Sequence, residues 1–180
     1  SSEDFLIISV GELNKNKNQK TIIKALAEIK DLKIHYILCG KGNQLESLKK
    51  QVIAEGLEKQ IHFLGYRTDV LDICRQADVY VMPSYREGLP VASLEAMYCG
   101  LPLLTSNIRG LVDVMENGSS GYIYSPDDYK GFADGLCKLL ADPELRNKMG
   151  KRNQEYVKQY CIDATKKEVL DLVFSLSGGI

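Results

Sequence analysis

Glu87 and Glu95 bracket the run Glu-Gly-Leu-Pro-Val-Ala-Ser-Leu-Glu, two carboxylates eight positions apart. Gly88 supplies a permissive backbone, Pro90 suits the first helical position, and Leu94, Met97 and Leu101 follow at helical spacing. The spacing predicts Glu87 just before a helix and Glu95 about two turns into it. A helix N-terminus presents unpaired N–H groups and positive dipole potential, which makes the backbone of Gly88, Leu89, Pro90 and Val91 a candidate phosphate cradle. The carboxylates cannot share that task, because negative charges beside a phosphate repel it. They fit as acceptors for hydroxyl groups on the same ligand, such as the ribose and sugar of a sugar nucleotide. The plainer alternative is a pair of solvated helix-end glutamates.

These residues need elements to hold them. Short apolar runs predict strands over Phe5–Val10, Ile34–Cys39, residues 61–64, Val79–Met82, Leu103–Ser106 and residues 122–124. Between them Ile22, Ala25, Leu26 and Ile29 share a helix face, as do Leu45, Leu48 and Val52, and Val70, Leu71 and Cys74. Leu136, Leu139 and Leu140 mark a helix after Pro126-Asp127-Asp128, Asp142-Pro143-Glu144 opens another, and residues 164–176 read as a terminal helix. Steady alternation of strand and helix implies an α/β fold, a Rossmann-like doubly wound parallel sheet with helices on both faces. In such a sheet the ligand binds outside the carboxyl ends of the strands. Gly11, Gly40, Gly42, Gly65, Pro83 to Gly88 and Asn107 to Gly110 end successive strands and are expected to converge there. Asn14-Lys15-Asn16-Lys17-Asn18 reads as a polar loop.

Composition narrows the classes. A chain of 180 residues with 44% hydrophobic content suffices for one cored domain over residues 1–180, and no Pro/Gly/Ser-rich linker divides it. Lysine plus arginine (23) balances aspartate plus glutamate (24), which leaves no basic field for nucleic acid. The apolar runs are strand-sized, so no transmembrane segment is expected, and the N-terminus lacks a signal core. Five scattered cysteines (Cys39, Cys74, Cys99, Cys137, Cys161) suit reduced thiols and a cytoplasmic setting. With only His35 and His62, and no C-x-x-C, no metal site is expected.

Several segments occur in a recognisable order: Val-Gly-Glu-Leu at 10–13 with Lys17 after it, Cys-Gly-Lys-Gly at 39–42, His-Phe-Leu-Gly-Tyr at 62–66 and Ala-Asp-Val-Tyr-Val-Met-Pro-Ser at 77–84. The Glu87/Glu95 pair follows, then residues 96–106, Arg-Gly-Leu-Val-Asp at 109–113 and Asn-Gly-Ser-Ser-Gly-Tyr at 117–122. In this order they resemble the C-terminal, nucleotide-sugar-binding domain of retaining GT-B glycosyltransferases of glycosyltransferase family 4, the group 1 glycosyl transferases. Each motif is expected in a loop at the carboxyl edge.

The resemblance implies roles. Lys17 matches the lysine on the donor diphosphate, Glu95 the carboxylate on the ribose diol, and Glu87 the one that orients the transferred sugar. Gly11, Gly40 and the amides of Gly88, Leu89, Pro90 and Val91 would border the nucleotide. Tyr66 and Arg67 fall where the base edge meets main chain, with Leu71 packed on the ring; a surface Arg67 and a sheet-capping Tyr66 are the alternatives. The family usually has arginine where this chain has Glu12, so either Glu12 turns away and Lys15, Lys41 or Arg86 supplies the cation, or diphosphate binding is weaker.

A full enzyme of this kind has two Rossmann-like domains. The resemblance therefore implies a missing N-terminal domain that binds the acceptor, toward which a terminal segment, residues 161–180, would cross. The implied reaction moves a hexose from a nucleotide diphosphate sugar, best a UDP-sugar, to a hydroxyl of a glycan or lipid-linked acceptor with retention. It implies no metal or other cofactor, and surface polysaccharide synthesis at the inner face of a membrane. Two alternatives are a noncatalytic sugar-nucleotide-binding module and a nucleotide-sugar epimerase of GT-B architecture.

Overall fold

The computed structural model describes residues 4–160. The helix expected over 164–176, the segment 161–180 and Cys161 lie outside the described residues. Six strands, β1 (Phe5–Val10), β2 (Ile34–Cys39), β3 (Ile61–Gly65), β4 (Val79–Met82), β5 (Leu103–Ser106) and β6 (Gly121–Tyr124), form one parallel sheet in the order β3-β2-β1-β4-β5-β6. The central strands are mostly apolar because both of their faces are covered, with Ser9, Thr105 and Ser106 as buried polar exceptions. Ile7, Val79, Val81 and Leu104 point into one core, while Ile8, Tyr80, Met82 and Leu103 point into the other.

The helices divide between those cores. α1 (Lys20–Ile29), α2 (Leu45–Ala54) and α5 (Tyr129–Ala141) cover the first through Ile22, Leu26, Leu48, Val52, Phe132 and Leu136. α3 (Val70–Cys74) and α4 (Val91–Tyr98) cover the second through Cys74, Leu94 and Met97. α6 (Pro143–Val157) wraps the margin, sending Met149 into the first core and Val157 into the second. The starts expected for α5 and α6 hold: Asp128 accepts from the Gly131 amide at 2.9 Å and Asp142 from the Leu145 amide at 2.8 Å, with Pro143 opening α6.

Four expectations need correction. Pro90 is the cap of α4 rather than its first residue: at φ −82° and ψ 71° it carries a three-residue turn closed by the Val91 amide on the Leu89 carbonyl at 3.0 Å. Glu95 is consequently the fifth residue of α4, little more than one turn in, not two. Leu101 is not on the helix, because Gly100 (φ +82°) turns the chain and the Leu101 amide closes back on the Ala96 carbonyl at 3.1 Å.

The fourth correction concerns residues 117–122. They lie at the amino edge, where Ser120 accepts from the Leu103 amide and Asn153 Nδ2 holds the Leu101 and Ser120 carbonyls at 2.7 and 2.9 Å. A parallel β6 can begin only after the chain has travelled back along the sheet, so whatever directly precedes it sits opposite the ligand edge. Residues 77–78 and 99–102, which precede β4 and β5, share that edge for the same reason.

Candidate functional site

The carboxyl ends of the strands are locked together by backbone. Gly11 N–H donates to Cys39 O at 3.0 Å, Gly40 N–H to Gly65 O at 2.7 Å, and Leu13 N–H to Lys41 O at 2.9 Å. Gly40 has no room for a side chain: a Cβ there would stand 1.9 Å from the Gly11 carbonyl oxygen. The loops after β4 and β5 meet as closely, since a Cβ on Gly110 (φ +89°) would fall 2.3 Å from Gly88 O. Strand order reverses between β1 and β4, the crevice where doubly wound sheets bind ligands.

Lys17 comes off β1 and Glu87 off β4, and they meet at that crevice, Nζ to Oε1 at 2.8 Å, with side chains 22% and 11% exposed. The 14–18 loop brings them together by means that its polar composition did not reveal. Asn14 Oδ1 accepts the Lys17 amide at 2.9 Å; Asn16 Nδ2 donates to Arg86 O and takes the Tyr85 amide on its own carbonyl, both at 2.8 Å. Asn18, left-handed at φ 52°, donates to Pro83 O at 3.1 Å and Pro126 O at 2.7 Å. These residues are a clamp between the lysine loop and the glutamate loop. The sequence signal for it is asparagine at alternate positions, a residue that bonds neighbouring backbone and tolerates the left-handed region. Tyr85 adds a bond to Asp127 Oδ1 at 2.5 Å, which holds the phenol proton and pushes its pKa up to about 12.

Beside the ion pair opens a cleft of about 290 Å3, walled by Gly11 and Glu12 after β1, Gly40 and Lys41 after β2, and Tyr66, Arg67 and Val70 beyond β3. Arg67 is tied to Asp69 through Nε and Nη2 at 2.8 and 2.5 Å, which raises the guanidinium pKa and lowers that of the carboxyl. Tyr66 is 72% exposed, an aromatic face with nothing over it among the described residues. Leu71 on α3 and Glu95 on α4, both expected at the nucleotide, are not among the residues that wall this cleft; the two helices meet where the Cys99 thiol, capping α4, reaches Leu71 O at 3.6 Å. Burial, then Cys99, Cys39 and Glu95, push the Cys74 thiol up to about 12.

Two further placements bear on the expected phosphate contacts. Pro90 has no N–H and the Val91 amide is already bonded, which leaves Gly88 and Leu89 as the free amides of that quartet among the described residues. A Cβ on Gly88 would meet nothing within 4 Å, so its Cα faces open space even though its carbonyl lies against Gly110. Glu12 is exposed at the cleft rim and accepts from Asn14 Nδ2 at 2.8 Å. Of the three cations considered against it, Lys41 shares its cleft, whereas Lys15 faces another cavity and Arg86 is an exposed residue of the glutamate loop.

The family model described as glycosyl transferases group 1 matches residues 1–156. This chain belongs to that family. As a group 1 glycosyl transferase chain it is 30% identical over 174 residues to the glycosyltransferase EpsD of Bacillus subtilis, covering 94% of this chain and 45% of that protein. It superposes on Anabaena HepE, solved in complex with UDP, with a TM-score of 0.91 at 22% identity, covering 97% of this chain and 50% of that one. It also matches the C-terminal domain of a group 1 family protein, LpcC of Francisella tularensis, with a TM-score of 0.79 at 26% identity, covering 88% and 87% of the two chains. The chain thus spans less than half the length of EpsD but nearly all of that C-terminal domain, and its fold is the Rossmann-like half of a GT-B protein. Among the described residues no helix is long and apolar enough to cross a membrane.

Proposed function

We propose that this chain is the donor-binding domain of a retaining hexosyltransferase that uses a uridine diphosphate sugar. The observation that carries the reading is the Lys17–Glu87 pair at the β1/β4 crevice, followed along the chain by the Gly88 and Leu89 amides, which are free among the described residues. A cation and two amides suit a diphosphate, and a carboxylate beside them suits sugar hydroxyls. UDP in the HepE structure supports the choice of base.

In this reading the nucleoside occupies the cleft, with Tyr66, Arg67 and Leu71 about the base and Glu95 on the ribose. Glu87 releases Lys17 and turns to the transferred hexose. Lys17, Gly88 and Leu89 then neutralise the diphosphate as the bond to the anomeric carbon breaks, the moment at which such charge stabilisation counts most. The acceptor hydroxyl, from a glycan or lipid-linked acceptor held by a partner domain, attacks on the face the diphosphate leaves, and a donor phosphate oxygen takes its proton. No metal is required, because lysine and backbone amides supply the positive field.

Calorimetric titration of uridine, guanosine and adenosine diphosphates into the chain and into Glu95→Ala tests this. Selective uptake of UDP, weakened about tenfold or more by the substitution, is the expected result and is unchanged by EDTA. Equal affinity for all three, or indifference to Glu95, overturns the assignment. Glu12 favours one second reading, a noncatalytic sugar-nucleotide-binding module, since a carboxylate stands where a cation would help a leaving group. Sugar transfer by the intact protein excludes it.

A further inference from the structure

The cysteines are scattered in the sequence, but the fold brings two of them together. β3 leads through α3 into β4, and β4 leads through α4 into β5. Both helices cover the same core and run back against parallel strands, so their last turns lie side by side at the amino edge. Cys74 is the last residue of α3, and Cys99 caps α4. The Cys99 thiol meets Leu71 O, one turn before Cys74, and the two thiols stand within hydrogen-bonding reach of each other. Both are free thiols.

The pair is asymmetric. Cys74 is fully buried, whereas Cys99 is half-buried and lines an opening of about 470 Å3 with Arg75, Tyr98, Gln154, Glu155 and Lys158. A small solute meets Cys99 from that opening and is shut off from Cys74. Burial raises the Cys99 pKa and Arg75 opposes that shift, while Glu95 and Asp72 add to it. The other described thiols lack this arrangement. Cys39 acts on Cys74 through charge rather than a hydrogen bond, and Cys137 is exposed on α5 over the other core.

We propose that Cys74 and Cys99 are a peroxide-responsive modification site, at which oxidation staples α3 to α4. The Cys99 thiolate attacks one oxygen of hydrogen peroxide, the O–O bond breaks, and hydroxide leaves to take up the proton that the thiol lost, which gives Cys99 sulfenic acid and water. The Cys74 sulfur then displaces the sulfenic hydroxyl, its own proton leaves with that oxygen as a second water, and the S–S bond forms. Two thiols are thus oxidised to one disulfide while one peroxide is reduced to two waters. Cys74 needs no solvent access for its step, because its partner sulfur is already beside it. The staple fixes α3, which gives Val70 to the cleft wall, against α4. The inference does not rest on the donor reading, and its test leaves that reading untouched.

The full chain is treated with hydrogen peroxide, its remaining thiols are blocked with N-ethylmaleimide in urea, and tryptic peptides are mapped by mass spectrometry without reductant. Cys74 falls in residues 68–75, Cys99 in 87–109 and Cys39 in 34–41, so each pairing is distinguishable. A crosslink of 68–75 to 87–109 is the expected main product, and dithiothreitol is expected to reverse it. In Cys99→Ser, Cys74 is expected to stay reduced; in Cys74→Ala, dimedone is expected to trap Cys99 as the sulfenic acid. The crosslinked chain is expected to unfold at a higher urea concentration than the reduced chain, since the bond restrains the unfolded state and joins groups already adjacent in the fold. A crosslink chiefly to 34–41, oxidation of Cys74 in Cys99→Ser, no crosslink, or an unfolding midpoint that fails to rise on oxidation overturns the proposal.

Discussion

Seventy positions separate Lys17 from Glu87, yet the ammonium and the carboxylate touch because two asparagines hold their loops edge to edge. If Lys17 acts on the leaving diphosphate, its removal costs turnover more than affinity. Lys17→Ala in the intact enzyme is expected to lower kcat about a hundredfold or more while UDP affinity changes far less; steady-state kinetics paired with calorimetry read the split, and equal losses in both would show a binding role only. The two histidines offer a separate check on the residue scale. His35 Nδ1 and His62 Nε2 lie 3.0 Å apart, and burial first, then His35, lower the His62 pKa. A histidine depressed in the folded state binds fewer protons there than in the unfolded chain, so its stability contribution is whole above about pH 6.5 and is lost as pH falls toward the lowered value. Thermal unfolding across that window is expected to show a steeper acid decline in the native chain than in His62→Asn. Neither the asparagine clamp nor the histidine contact could be read from the sequence, because each depends on partners fixed only by strand order.

At the scale of elements, the glycine contacts between loops carry the site's rigidity. Gly40→Ala must push the Gly11 carbonyl away and is expected to cost about 1–3 kcal/mol in denaturant unfolding; an unchanged midpoint would mean that the β1 and β2 loops separate easily. Strands were legible almost to the residue, since a run such as Val79 to Met82 is apolar throughout only if both faces are buried. β3 gained one residue at Gly65 and β6 one at Gly121, both differences of hydrogen bonding at a strand end. The start of α4 was less legible. Proline at 90 marked the place, but whether it opens the helix or caps it depends on the turn closed by Val91, a backbone choice that side-chain pattern does not encode. The motif at 117–122 was misplaced for a topological reason: motif resemblance reports that residues matter, not which end of the sheet they occupy. The convergence of Gly11, Gly40, Tyr66 and Arg67 on one cleft was legible, since parallel strands put every strand-to-helix loop at the same edge.

On the scale of the whole molecule, the sheet separates two openings, a cleft over the α3 side that we read as the donor site and an amide-lined cavity over the α1/α2 side. A donor site open to solvent binds nucleotide readily but does not exclude water or position an acceptor, and those terms make up much of a transferase's rate advantage. The chain is therefore expected to take up UDP and to transfer sugar only when a second domain is supplied; robust glycan synthesis by these 180 residues would refute that division. The Lys17–Glu87 contact gives the domain a further property. Its cation is already engaged, so an arriving diphosphate displaces a partner instead of meeting an idle charge, and binding becomes an exchange of one anion for another. Exchange releases little enthalpy, because the bond gained resembles the bond given up. In Glu87→Gln the ammonium is unclaimed, and the same nucleotide is expected to bind with the greater heat, although the substituted enzyme has lost the carboxylate that would orient the sugar.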